Sequence, residues 1–169
     1  MIELRKSSQR GSANFGWLQS RHSFSFGRYY DPAQMGFSAL RVINDDQVAP
    51  GAGFDTHGHR DMEIISLVLD GVIAHRDSTG EVAELPAGEF QLMSAGRGIY
   101  HSEFNASQTE EINLFQLWIF PNQQEVTPRY QQLGYENSDM KDAFLQLVSP
   151  NPDDDGLWIH QTAWIHMID

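Results

Sequence analysis

His57 and His59 stand two residues apart, and so do His101 and Glu103. Side chains at i and i+2 of a β-strand point to the same face, so each pair presents two donors side by side wherever its segment is extended. Three imidazoles and one carboxylate converging on a point form a ligand set for a divalent first-row ion, Fe(II), Mn, Ni, Cu or Zn, with positions left open for substrate. The chain has no cysteine, which excludes disulfides, thiolate nucleophiles and Cys-ligated zinc or iron–sulfur sites together. Any metal must rest on His and carboxylate. A lone His-x-His is as easily structural, and His101-Ser102-Glu103 alone fits a hydrogen-bonded surface pair. Two such pairs with Gly51 and Gly88 near them point instead to ligation. His22, His75, His160 and His166 lack comparable partners and read as ordinary polar or satisfied positions.

Strands must hold these pairs. Fourteen Gly and seven Pro punctuate 169 residues, and the segments between them favour Val, Ile, Leu and Phe over helix formers. The pattern predicts strands over 37–43, 62–69, 72–75, 81–85, 89–93, 99–104 and 112–120, the last buried on both faces. Asp70-Gly71 suits a type I′ hairpin turn. Strands with turn signals this regular predict an all-β antiparallel barrel or jelly roll. Phe15, Trp17, Phe24, Phe26, Tyr29 and Tyr30 make the first thirty residues an ordered extension against that barrel, since disordered tails are poor in aromatics. Strands over 144–148 and 157–168 close the sequence, with apolar side chains left for a second copy to cover.

Charge narrows the partners. Asp and Glu outnumber Lys and Arg by 23 to 11, a net charge of −12, which argues against direct nucleic-acid binding. The longest apolar stretch, Leu117-Trp118-Ile119-Phe120, is far short of a bilayer span. A cytoplasmic protein with no membrane association is expected.

Thr56-His57-Gly58-His59-Arg60-Asp61-Met62-Glu63 and the run from Pro86-Ala87-Gly88 to His101-Ser102-Glu103-Phe104-Asn105 resemble the two motifs of the cupin superfamily. Within it, Phe24-Ser25-Phe26, Tyr29-Tyr30-Asp31-Pro32, Met35-Gly36-Phe37, Leu40-Arg41-Val42, Asn44-Asp45-Asp46 and Met93-Ser94-Ala95-Gly96-x-Gly98-Ile99-x-His101-Ser102-Glu103 closely resemble the pirins. The resemblance implies a double-stranded β-helix. It also implies one metal, usually iron, on His57, His59, His101 and Glu103, the four that strand parity selects. Ordinary cupins use the first-motif glutamate, here Glu63; its spacing to Gly71 is one residue longer than that pattern, so Glu63 is expected beside the ligands or as an alternative to Glu103. Pirins usually carry proline between the first two histidines, where this chain has Gly58. They also carry two cupin barrels. The expected division is a pirin-type N-terminal cupin over 1–130, then a connecting segment and the opening strands of a truncated second cupin over 131–169.

Bacterial pirins resembling quercetin 2,3-dioxygenases imply a small aromatic substrate and dioxygen, with Glu103 as the catalytic base and Phe54, Phe90 and Phe104 as an apolar wall. Eukaryotic pirins imply the alternative, a non-enzymatic metal-binding regulator acting through protein interaction or redox sensing. An isomerase or sugar-binding cupin would instead need a basic anchor such as Arg41, Arg60 or Arg97. The C-terminal strands predict a homodimer.

Overall fold

In the computed structural model, which describes residues 4–168, the Gly and Pro punctuation resolves into short strands. They are β1 (Gly11–Asn14), β2 (Leu18–His22), β3 (Leu40–Val48), β4 (Gly53–His59), β5 (Glu63–Asp70), β6 (Val72–Asp77), β7 (Val82–Pro86), β8 (Glu89–Ser94), β9 (Ile99–Asn105), β10 (Ile112–Ile119), β11 (Arg129–Gly134), β12 (Leu145–Ser149), β13 (Leu157–Trp158) and β14 (Ile165–Met167). Helix among the described residues is limited to 3₁₀ turns at Ser7–Gln9 and Asn137–Met140, and no helix is long and apolar enough to cross a membrane.

A seven-stranded sheet ordered β1-β2-β3-β10-β5-β8-β11 packs against a four-stranded sheet ordered β4-β9-β6-β7. Val48, Val68 and Leu114 of the first meet Ile73 and Leu85 of the second in one buried cluster. This is the all-β cupin barrel expected. The aromatic N-terminal segment joins it as β1 and β2, which extend the large sheet through β3.

Three local expectations change. The strand predicted over 37–43 is β3, which begins at Leu40 and continues through the polar run to Val48. Asn44 and Asp46 alternate inward with Val42 and Val48, and polar groups tolerate that position when bonded: Asn44 to His22 and Asp46 to Ser20. Asp70-Gly71 is not a hairpin turn. β5 pairs with β10 and β8, whereas β6 pairs with β9 and β7, so the chain turns a corner between sheets. Gly71 sits there at φ +84°, and a Cβ would fall 2.3 Å from Ile112 Cγ2. β10 buries Ile112, Leu114 and Gln116 on one face, while the other face is half-buried as far as Leu117.

The C-terminal strands do find cover within the chain. β13, β12 and β14 form a small sheet, and Leu147, Val148, Leu157 and Ile159 pack on Ile65, Phe90, Leu92 and Ile119 of the barrel. Phe144, Trp164 and Ile168 stay exposed. The predicted strand over 157–168 is interrupted, leaving only β13 and β14. The boundary expected at 130 falls inside β11, which pairs with β8 from Arg129 to Gly134.

Candidate metal centre

β4 and β9 run antiparallel with His57 opposite His101 and His59 opposite Ile99. Gly53 lets them close: a Cβ there would lie 2.5 Å from Phe104 Cα. The register shifts between Phe54 and His57, a bulge of the kind that re-aims side chains. His57, His59 and His101 then converge, with ring centroids 4.5 Å apart for His57–His101, 4.8 Å for His57–His59 and 4.9 Å for His59–His101.

His57 Nδ1 lies 2.7 Å from the Asp55 carbonyl oxygen, to which Nδ1–H donates, and Nε2 faces His101 Nε2 at 3.0 Å. With its Nδ1–H committed, His57 aims the Nε2 lone pair at the other ring. Burial first, and then the neighbouring imidazoles, push His59 down to about 4 and His101 down to about 3. Neutral rings turned nitrogen to nitrogen suit a cation between them. One nitrogen from each lies within 4.8 Å of the others. These residues fit a divalent metal.

Glu103 is buried beside them and shares a second such group with His101 and His75. Its Oε1 accepts from Gln91 Nε2 at 2.6 Å and Ser66 Oγ at 3.4 Å, and its Oε2 accepts from Gln116 Nε2 at 3.0 Å. Gln116 Oε1 in turn accepts from Trp118 Nε1 at 2.9 Å, and the Trp118 ring lies 4.9 Å from that of His59. The carboxylate is thus oriented by neutral donors from three strands.

His75 departs from its expected ordinary role. It is 1 % exposed, its Nε2 lies 3.1 Å from Asp77 Oδ2, and its Nδ1 has no hydrogen-bond partner. Opposite it in the register stands Glu103, while Asp77 stands opposite His101. The signal was present in the sequence, since His75-x-Asp77 has the same two-residue spacing as the other pairs. Gln91, Gln116 and Ser66 left no such signal, for they come from separate strands.

Glu63 lies elsewhere. It is buried on the outer face of β5, where Oε2 accepts from Ser94 Oγ at 2.9 Å and from the His160 backbone N–H at 3.4 Å. Burial raises its pKa, against the pull of those donors and Arg129. Phe90 packs under the C-terminal sheet. Phe54 lies closer, 6.4 Å from His57 and 5.2 Å from Trp17 by ring centroid. Phe104 is half-buried over β6 and β7. The candidate basic anchors have other partners: Arg41 the Ser25 carbonyl, Arg60 Glu125, and Arg97 Thr127. His160 packs on Trp158, and His166 on Phe144.

A family profile described as Pirin matches residues 3–119. Over 161 residues the chain is 54% identical to the quercetin 2,3-dioxygenase of Escherichia coli (strain K12), an alignment covering 95% of this chain and 68% of the relative. The structure of bacterial pirin YhhW from Escherichia coli in complex with nickel(II) superposes with a TM-score of 0.92 and 51% identity, over 98% of this chain and 70% of that one. YhaK of Escherichia coli superposes with a TM-score of 0.69 and 33% identity, over 92% and 67%.

Proposed function

The chain belongs to the pirin family, and from that premise we propose that it is a metal-dependent dioxygenase of quercetin-like flavonols or related ortho-hydroxylated aromatics. The observation that carries this reading is the convergence of His57, His59 and His101 through neutral nitrogens, with Glu103 held next to them. These four are the proposed ligands, and Fe(II) the proposed ion; the donor set also suits Mn, Ni, Cu or Zn. Nickel(II) in the Escherichia coli YhhW structure supports a divalent first-row ion here. Such an ion, when bound, supplies Lewis acidity toward the substrate oxygens and a meeting point for dioxygen.

The protein's own residues orient and move the proton. Glu103 Oε2, steadied by Gln116, accepts the proton of the flavonol hydroxyl, and Trp118 and Phe54 give the flat ring an apolar wall on either side of the imidazoles. One flavonol and one dioxygen yield one carbon monoxide and an aromatic ester, by analogy with flavonol dioxygenases. The test is incubation of iron-loaded protein with quercetin under air, following loss of flavonol absorbance and release of carbon monoxide. Equal loss without protein, or none with any first-row metal, would end this reading in favour of a metal-bound interaction or redox-sensing module.

A further inference from the structure

Outside the metal centre, buried polar groups gather on the inner face of β2 and β3, where His22 and Asp46 line the floor of a cleft of about 690 Å³. None of His57, His59, His101 and Glu103 lines it. Phe26 does, and its ring stands 5.3 Å from Trp118, which stands 4.9 Å from His59.

His22 is 4 % exposed. Its Nδ1 lies 2.8 Å from Asn44 Oδ1 and 3.2 Å from Ser20 Oγ. Nδ1–H therefore donates to the Asn44 amide oxygen, and in the neutral ring the lone pair is on Nε2. Nε2 has no hydrogen-bond partner among the described residues and is not sealed in, so it opens on the cleft that His22 lines. An acceptor that faces the cleft without a protein partner is open to a ligand donor.

The walls and rim complete the chemistry. Tyr29 stacks at 21° to His22 and Phe26 lies 5.3 Å from it; Arg5 holds the Tyr29 hydroxyl at 2.9 Å. At the rim, Arg28 is exposed and makes no ion pair among the described residues, and Arg10 lies 3.9 Å from Asp45. Asp46, 3 % exposed, lies deep in the cleft. Burial pushes its pKa up to about 6.

We infer that this cleft binds a planar phenolic carboxylate, with its hydroxyl donating to His22 Nε2, its ring along Phe26 and Tyr29, and its carboxylate at the Arg28 guanidinium. The inference does not rest on the proposed metal chemistry, so it is tested on the full chain stripped of metal. Calorimetric titration with para-hydroxybenzoate should give a dissociation constant on the order of 0.1–1 mM, ordinary for a ligand of this size. Benzoate, which lacks the hydroxyl, and methyl para-hydroxybenzoate, which lacks the charge, should each bind about tenfold more weakly. R28A should cost para-hydroxybenzoate about tenfold and leave the methyl ester unaffected, while H22L should erase the preference over benzoate. H57A should bind like the parent. No binding at millimolar ligand, equal affinity for the three compounds, R28A binding as the parent does, or loss of binding in H57A would overturn the inference. The ligand series on the unaltered chain decides the matter even if H22L does not fold.

Discussion

Two buried glutamates show how surroundings decide what a carboxylate can do. Glu103 is 4 % exposed and Glu63 1 %, and each begins from a strand of the same barrel. Glu103 points inward, where its partners are two side-chain amides and a hydroxyl, with His101 and His75 beside it. Glu63 points outward, under the C-terminal sheet, where Arg129 donates to Ser94 Oγ at 3.1 Å and to the Trp158 carbonyl at 2.6 Å and lies 4.1 Å over the Trp158 ring. Burial raises the Glu63 pKa against the weaker pull of Ser94, the His160 N–H and Arg129, whereas Glu103 is oriented by neutral amides beside the imidazoles. Glu63 ties the C-terminal segment to the barrel through the His160 N–H, and Glu103 faces the imidazoles.

The most severe way to break this contrast is at the proposed ligands. H101A should lose stoichiometric metal after dialysis while E63A keeps it, measured by elemental analysis; the reverse result would exchange the roles of the two glutamates. Next, E103A should lower quercetin turnover by about a hundredfold, the scale for removing a general base, while E63A stays within a few-fold of the parent in initial-rate assays. On the outward side, R129L removes the hydrogen bonds to Ser94 Oγ and the Trp158 carbonyl and the contact over the Trp158 ring, and should cost about 1–3 kcal/mol in urea denaturation.

Acid sharpens the contrast more gently. His59 and His101 have folded pKa values lowered to about 4 and about 3, below the 6.5 of the unfolded chain. Between those limits the unfolded state binds more protons, so stability of the metal-free chain is full above about 6.5 and falls as pH drops toward 4. The fall should be progressive across that window, and H101A should flatten the slope. The smallest effect concerns the exposed residues of the outer sheet. F144S/W164S should shift a concentration-dependent dimer toward monomer in light scattering; a parent chain that is already monomeric at micromolar concentration would remove the expected homodimer.

Local periodicity made part of this legible from residues alone. His57 with His59, and His101 with Glu103, each lie within one strand, and two-residue parity holds there. Counting the same parity on to Glu63 crosses a turn in which Asp61 takes φ +45°, and the count resets, which is why Glu63 emerges on the outer face. Gln91 and Gln116 reach Glu103 because Ser66 pairs with both across β8 and β10. Only the sheet order reveals that. Phe90 fits an apolar wall by type, but its strand turns it toward Leu147 and Ile159. The polar half of β3 was hidden for a related reason: Asn44 and Asp46 are bonded to β2, a partner more than twenty residues earlier.

The corner at Gly71 carries a kinetic consequence. Because the chain leaves one sheet for the other there, neighbouring strands in the sequence are seldom neighbours in space, and β10 can insert between β3 and β5 only after both exist. His57 and His101 are brought together across 44 residues by such a pairing. Loop closure over that span precedes any reward from the contact, which slows folding of non-local β topologies. Metal uptake during refolding from urea should therefore follow the slowest phase, after most strand signal has returned, making the ion a reporter of the last pairing the chain completes.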